Sequence, residues 1–315
     1  MTKTFRTIAG MLVLAIVVAA CGSSSHNNTS ASTTTTAAAS SSPGAGKPPV
    51  VIGDKNFSEE YILGSLYQEA LQAKGYKVTL KGNIGSTEIT YKALQAGQID
   101  MYPEYTGVIL TVIAGNTTAP HSAQQTFTLA SAYLHKHGFT LLSPTPFFDT
   151  DALGTLKTFA TNHNLKTIAD LKKLGTSVKL GGAPEFATRE EGLLGLKREY
   201  GLNPTFVPLA IGLTYTALDT GKVQVSDVFT TDPQLTTGKY TVLTDPKNVF
   251  GFQNVAPIVK AGLITTEGPA FAETINKVSA LLTIPAIQRM NAAVAIDKQS
   301  PATVAHTFLA ANGLL

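Results

Sequence analysis

The amino-acid sequence predicts an α/β protein with two lobes, a two-strand hinge and a ligand cleft between the lobes. Strand-like apolar runs alternate with amphipathic helical patterns from residue 50 onwards, which is typical of a parallel sheet covered by helices. A short unit of this alternation recurs in the second half of the chain. Proline-containing stretches at 143–146 and 245–246 mark two crossovers between the halves.

The first 20 residues have the pattern of a signal peptide. Lys3 and Arg6 precede an apolar run over residues 8–20, which is too short for a comfortable membrane span. The run leads into Cys21, the single cysteine of the chain, in a sequence that resembles the bacterial lipobox. We predict that Cys21 is lipidated and anchors the protein to the extracytoplasmic face of the cell membrane. The alternatives are a secretory signal with an incidental cysteine, or an uncleaved anchor.

Residues 21–48 form a Ser/Thr/Ala-rich stretch with almost no large apolar side chain. Such a stretch cannot bury enough surface to offset its ordering entropy, so we predict a flexible tether. The formal net charge of the whole chain is only +3, which predicts no nucleic-acid partner. No second long apolar run follows the signal peptide.

The globular part begins with strand and helix patterns in strict alternation. Residues 50–53 read as a buried strand, and apolar residues at helical spacing then continue from Ser58 to a closing glycine at Gly75. A second strand at 77–80 and a second helix, closed by Gly97, come next. These elements predict a βαβα unit of a parallel sheet.

The third strand ends in the most distinctive stretch of the chain. Apolar residues lead into Tyr102, and Pro103 is expected to end the strand because it has no N–H to donate. Glu104, Tyr105 and Thr106 follow at the strand tip. In open α/β sheets, ligands bind outside the carboxyl ends of strands, so this tip is a candidate binding site. An ordinary strand-to-helix turn capped by Thr106 is the alternative.

An internal repeat predicts the second lobe. The pattern of residues 90–99 recurs at 214–223, and the glycine and phenylalanine within 52–57 recur within 180–186, in the same order. Two similar βαβα units would place two sets of strand tips on either side of a cleft.

The crossovers divide the chain into two lobes. We assign residues 49–147 and 251–315 to lobe I and residues 148–250 to lobe II. The last fifty residues have helical patterns and are expected to pack on lobe I.

No enzyme signature is present in the sequence. It contains no phosphate-binding loop, no GxSxG elbow and no HExxH motif, and Cys21 is assigned to the lipid. His135 and His137 are two apart in a predicted helix and would not share a face, so they predict no metal site. We therefore predict no catalytic residue, metal or cofactor.

Several motifs of the mature chain closely resemble the osmoprotectant-binding proteins of ABC importers, the receptors for glycine betaine, choline and proline betaine. The resemblance covers the whole globular part in order. The motifs are IGDKNF at 52–57, EYILG at 60–64, DMYPEYTG at 100–107, PEFATR at 184–189, TTD at 230–232 and ATVAHTFL at 302–309.

The resemblance implies a type II periplasmic-binding-protein fold and a monomeric receptor that delivers its ligand to an ABC permease with its ATPase. It also implies an aromatic cage that holds a quaternary ammonium by cation–π attraction, and cations that bind the ligand's carboxylate. By motif position, Tyr105 is a cage aromatic, Asp149 supports the cage, and Lys55 and Arg189 are the carboxylate-side partners. Alternatively, Arg189 pairs with Glu185 or Glu190, or Lys55 is a solvated turn residue.

The chain departs from the family pattern in the cage itself. Asp151 and Phe229 fall where the family has a second and a third cage tyrosine, and Gln253, with Phe252 beside it, falls at the fourth. Val108 replaces a threonine that often follows the Tyr-Thr-Gly motif. We predict an osmoprotectant receptor, with two alternatives: a receptor of the same scaffold for another small polar, hydroxylated or aromatic ligand, and a sensor lipoprotein or an enzyme on this fold.

Overall fold

The computed structural model describes residues 42–315 of the chain. The predicted signal peptide (1–20), the predicted lipidation site Cys21 and most of the predicted tether lie outside the described residues.

The described residues contain two sets of alternating strands and helices. The strands are β1 (Val50–Gly53), β2 (Val78–Lys81), β3 (Met101–Tyr105), β4 (Phe139–Leu141), β5 (Asp151–Leu156), β6 (Lys179–Gly182), β7 (Thr205–Pro208), β8 (Val225–Phe229), β9 (Tyr240–Leu243) and β10 (Val255–Lys260). The α-helices are α1 (Ser58–Ala73), α2 (Thr87–Gln95), α3 (Thr106–Val108), α4 (Ala123–Lys136), α5 (Lys157–Asn162), α6 (Leu193–Tyr200), α7 (Thr214–Asp219), α8 (Ala261–Glu267), α9 (Pro269–Leu281), α10 (Ile284–Ala295) and α11 (Pro301–Ala311). A π-helical segment (Ile109–Ile113) continues α3, and 3₁₀ helices cover Ile168–Ser177, Pro184–Thr188 and Pro233–Thr237.

Two five-stranded sheets share one topology. Their strand orders are β2-β1-β3-β10-β4 and β7-β6-β8-β5-β9. In each sheet, three strands run parallel, and the fourth in the order is antiparallel to both of its neighbours. The antiparallel strands β5 and β10 are each the first strand after a crossover. The repeated unit predicted from the sequence is thus confirmed, with β1 equivalent to β6 and β3 to β8.

The carboxy-terminal helices pack on the first sheet's half of the molecule, as the sequence predicts. Helix α1 contacts α9, α10 and α11. Their apolar faces share one buried core, which includes Leu63, Leu66, Ile275, Val304 and Leu309. Burial of apolar side chains is the main favourable term that holds these helices in place.

The chain passes between the sheets twice, after β4 and after β9. The two passing segments lie side by side, because Phe148 forms an antiparallel bridge with Asn254 and the N–H of Asp149 donates to the carbonyl of Gln253 at 3.0 Å. We propose that the lobes divide here, with lobe I at 49–147 and 251–315 and lobe II at 148–250.

The prediction that Pro103 ends the third strand is wrong. Strand β3 continues through Pro103 to Tyr105, and Pro103 lies opposite Pro257 of β10. The N–H of Thr106 donates to Asn254 and that of Lys260 to Asp100, so this proline pair occupies a position where an antiparallel ladder needs no hydrogen bond. The missing donor therefore breaks no hydrogen bond between β3 and β10, and Tyr105 lies within the sheet.

The tether also ends earlier than predicted. The N–H of Gly44 donates to the carbonyl of Lys74 at 2.9 Å, and the ammonium of Lys47 reaches the carbonyl of Thr266 at 2.8 Å. A Cβ at Gly44 would lie 2.2 Å from the backbone nitrogen of Tyr76, so only glycine permits this approach. Residues 44–47 are therefore part of the folded protein.

Candidate ligand-binding site

A cleft lies where the tips of β1, β3, β6 and β8 approach one another, with about 620 Å³ of empty space including its opening to solvent. Most of the predicted ligand residues line it: Lys55, Tyr105, Asp149, Asp151, Arg189, Phe229 and Gln253. Phe252 does not. Its carbonyl instead accepts the hydroxyl of Thr106 at 3.1 Å.

Three aromatic rings form one wall of the cleft. The ring of Phe57 lies 6.2 Å from that of Tyr105 and 6.0 Å from that of Phe229, stacked in both pairs. Phe57 and Tyr105 belong to the first-sheet half and Phe229 to the other. The wall is therefore complete only when the two halves come together.

Glu59, in the first turn of α1, holds the Tyr105 ring in place. Its carboxylate accepts the Tyr105 hydroxyl at 2.8 Å, the Thr231 hydroxyl at 2.7 Å and the Asn291 amide at 2.8 Å. Burial raises the pKa of Glu59, and these hydrogen bonds oppose the rise. Because three donors surround this carboxylate, the orientation of Tyr105 is set before a ligand binds.

The ammonium of Lys55 is ion-paired inside the protein. It is hydrogen-bonded to Glu104 and lies 3.8 Å from Glu60. It also lies 4.3 Å from the centre of the Tyr105 ring. Burial raises the pKa of Glu60 well above its ordinary value, although Lys55 opposes this. The sequence alternative of a solvated turn residue is wrong, since Lys55 is 3% exposed.

Arg189 also has partners within the protein, and they differ from those considered from the sequence. Its guanidinium binds Glu88 of α2 through two hydrogen bonds of 3.1 and 3.0 Å, and lies 3.9 Å from Glu191. Burial alone would raise the pKa of Glu88, but the hydrogen bonds and the charge of Arg189 lower this pKa to about 2. This pair connects the two halves at the cleft.

The side chain of Gln253 is committed to the backbone. Its Oε1 accepts the N–H of Val108 and its Nε2 donates to the carbonyl of Phe250, both at 3.0 Å. Asp149 is similarly engaged, since its carboxylate accepts the N–H of Thr231 at 3.1 Å. Burial raises the pKa of Asp149 well above its ordinary value. Both residues line the cleft, and their hydrogen bonds shape its floor.

A group of carboxyl groups occupies the lobe II side of the cleft. Asp151 and Asp227 lie on the neighbouring strands β5 and β8. Burial, and then the charge of Asp151, raises the pKa of Asp227 well above its ordinary value. Burial likewise raises the pKa of Glu191 to about 7, although Arg189 opposes this.

The cleft therefore has an excess of acidic groups. Five carboxyl groups line it, against two cations that already have carboxylate partners. The carboxyl groups are Asp149, Asp151, Glu185, Glu191 and Asp227. A cation near an aromatic face is attracted by the ring and by those carboxyl groups that are ionised.

Sequence reasoning missed Phe57, Glu191 and Asp227 as lining residues. Phe57 ends the IGDKNF motif two residues after Lys55, and Glu191 follows Arg189 at the same spacing. Asp227 is two residues before Phe229 on one strand and so points to the same face. Alternate residues of a strand share one face, so an inspection of the residues two positions from Phe229 would have identified Asp227.

No group of three or more possible metal ligands exists among residues 42–315. Within the same residues, no helix is long and apolar enough to cross a membrane.

Two similar α/β halves around an aromatic and acidic cleft define a two-lobed ligand-binding protein of the type II periplasmic class. Comparison with known families agrees: residues 48–311 match the family described as the substrate-binding domain of ABC-type glycine betaine transport systems. The chain belongs to this family.

Individual relatives cover almost the same part of the chain. The glycine-betaine-binding protein of Pseudomonas aeruginosa is 32% identical over 276 residues, which are 84% of this chain and 88% of that protein. The ergothioneine transport permease/ergothioneine binding protein EgtU of Helicobacter pylori is 27% identical over 269 residues, which are 84% of this chain and 48% of that protein. A crystal structure titled as a glycine betaine/carnitine/choline ABC transporter is 27% identical, covers 84% of this chain and 99% of that one, and has a TM-score of 0.68.

The resemblance found in the sequence and the predicted fold class are thus confirmed. The chain is the extracytoplasmic substrate-binding component of an ABC importer, which binds a small ligand and acts with a permease. Its family consists of binding proteins, so the prediction that it is not an enzyme is confirmed as well.

Proposed function

We propose that this chain is a lipid-anchored monomeric receptor that captures glycine betaine or a related quaternary amine and delivers it to its permease. The cleft that joins the rings of Tyr105, Phe57 and Phe229 to an excess of carboxyl groups is the observation that carries this proposal. A quaternary ammonium cannot donate hydrogen bonds, so ring faces and negative charge are the interactions open to it. The names of the relatives support the same class of cargo.

A thermal-shift screen of the purified protein tests the cargo. The panel holds glycine betaine, choline, carnitine, proline betaine and ergothioneine, with neutral polyols and sugars as controls. A ligand at a hundred times its dissociation constant stabilises a protein by about 2.7 kcal/mol, which gives a clear shift of the midpoint. We expect shifts with onium compounds. A shift with neutral compounds alone would assign the scaffold to another cargo.

Cys21 and its lipid are tested by Cys21→Ser in the native host. We expect the variant to leave the membrane fraction and appear in the medium, while the unchanged chain stays with the membrane. An equal distribution of both chains would contradict the anchor. Analytical ultracentrifugation of the released variant then tests the monomer.

A further inference from the structure

Two carboxylate oxygens in the cleft receive no hydrogen bond from the protein. They are Oδ1 of Asp227 and Oε1 of Glu191, and no donor among residues 42–315 reaches either one. Asp227 is 3% exposed and Glu191 is 1% exposed, and both residues line the cleft. Buried acceptors of folded proteins nearly always have a donor, so these two atoms require an explanation.

Both acceptors lie beside the aromatic wall. Asp227 and Phe229 are two residues apart on β8 and share one face of the strand. Glu191 is two residues from Arg189, whose guanidinium lies 3.9 Å from it without a hydrogen bond. That guanidinium is directed at Glu88 through two hydrogen bonds. Oε1 of Glu191 is thus not hydrogen-bonded to the cation nearest to it.

The chemistry of the acceptors restricts what can lie against them. A quaternary ammonium has no proton to donate, and a ligand carboxylate has none either, so neither group can donate to these two oxygens. An O–H or N–H group satisfies the free oxygens, and a hydrogen bond to a charged partner is stronger than one between neutral groups.

We propose that Asp227 and Glu191 form a hydrogen-bond-accepting subsite that selects onium cations carrying an O–H or N–H donor over donor-free onium compounds and zwitterions. The proposal rests on the proposed function, because the onium end of the same cargo lies on the aromatic wall.

Calorimetric titration with two matched probes tests the subsite. Choline carries one hydroxyl donor, and its methyl ether has the same onium group and two-carbon spacer, with a methyl group in place of the donated proton. We expect the purified protein to bind choline at least about tenfold more tightly than the ether, as one charged hydrogen bond predicts. Glycine betaine should also bind more weakly than choline.

Three variants locate the effect. Asp227→Leu removes the acceptor, keeps the branching of the side chain and should reduce the preference for choline to about twofold or less. Asp227→Asn keeps an oxygen acceptor and should retain part of the preference, even if the leucine variant fails to fold. Asp219→Asn changes a carboxylate of the same half that pairs with Lys239 outside the cleft, and it should leave the preference unchanged.

The outcomes separate the two proposals. Equal affinity of the unchanged protein for choline and its ether would overturn the subsite and leave the onium receptor standing. A full preference in Asp227→Leu would also overturn it. If no onium compound binds, the proposed function itself fails.

Discussion

Tyr105 illustrates how much of this site depends on single side chains. Its ring is 4% exposed, its hydroxyl donates to Glu59, and the ammonium of Lys55 lies over its face. A buried ring with a fixed hydroxyl loses little freedom when a ligand stacks on it. Preorganisation of this kind raises affinity without adding contacts.

We expect Tyr105→Ala to weaken the binding of an onium ligand by about 1–2 kcal/mol, or roughly five- to thirtyfold, because the cation–π contact is lost. Tyr105→Phe is the matched control, since it keeps the ring and leaves Glu59 with its donors Thr231 and Asn291. Calorimetry with the best ligand of the screen measures both. Equal losses in the two variants would show that the hydroxyl, and not the ring, carries the effect.

Glu191 predicts a pH dependence of stability. Its pKa in the folded protein is about 7, against an ordinary value of 4.5. Between these values the folded state holds a proton that the unfolded state has released, so the free energy of unfolding falls as pH rises from about 4.5 to 7. Each unit of such a shift corresponds to about 1.4 kcal/mol.

Denaturant unfolding at several pH values measures this slope. We expect Glu191→Gln to flatten the slope between pH 5 and 7. Glu88→Gln is the control, because the pKa of Glu88 is about 2 and its stabilising effect is lost only below its ordinary pKa of 4.5. An unchanged slope in Glu191→Gln would show that Glu191 is ionised throughout this range.

The turn from β3 into α3 sets the floor of the cleft. Gly107 lies against Gln253, and a Cβ there would be 2.6 Å from its Nε2. Gln253 in turn connects Val108 and Phe250 through its amide. Glycine is therefore required at position 107 because the side chain of Gln253 leaves no room for a Cβ, and not because of the backbone angles of Gly107.

We expect Gly107→Ala to destabilise the protein by roughly 1–3 kcal/mol, because Gln253 must move and release its backbone partners. Gly262→Ala is the matched control: it lies in α8 with no atom near its Cβ position, and alanine favours helices. Denaturant unfolding compares the two. A Gly107→Ala variant as stable as the parent would show that Gln253 has a second acceptable position.

At the scale of the whole molecule, contacts across the cleft hold the two halves together. Besides Glu88 with Arg189, Thr111 is hydrogen-bonded to Glu191, and Arg198 donates to the carbonyl of Thr117 at 2.6 Å. These contacts join residues that are far apart in sequence. They give the closed arrangement a favourable energy of its own.

We expect Glu88→Gln to increase the radius of gyration of the ligand-free protein in small-angle scattering and to weaken ligand binding less than about fivefold, the range for an accessible ion pair. Lys239→Gln is the control, since it removes a pair with Asp219 that lies within one half. A Glu88→Gln variant with parental scattering would show that the pair does not influence closure.

The sequence by itself determined the alternation of strands and helices, the repeat and seven of the residues that line the cleft. These features depend on local periodicity, on glycine and proline positions and on short motifs, all of which can be read along the chain. Seven of the eight ligand residues that the motif positions predict line the cleft.

Only the tertiary structure decided which partners these residues have. Pro103 continues its strand because it lies opposite Pro257 at a position where β3 and β10 form no hydrogen bond. Arg189 pairs with Glu88 of the other half, and Lys55 pairs with Glu104. Each partner is distant in sequence, so no local pattern indicates it. The same distance explains why the two acceptors of Asp227 and Glu191 become visible only when both halves enclose them.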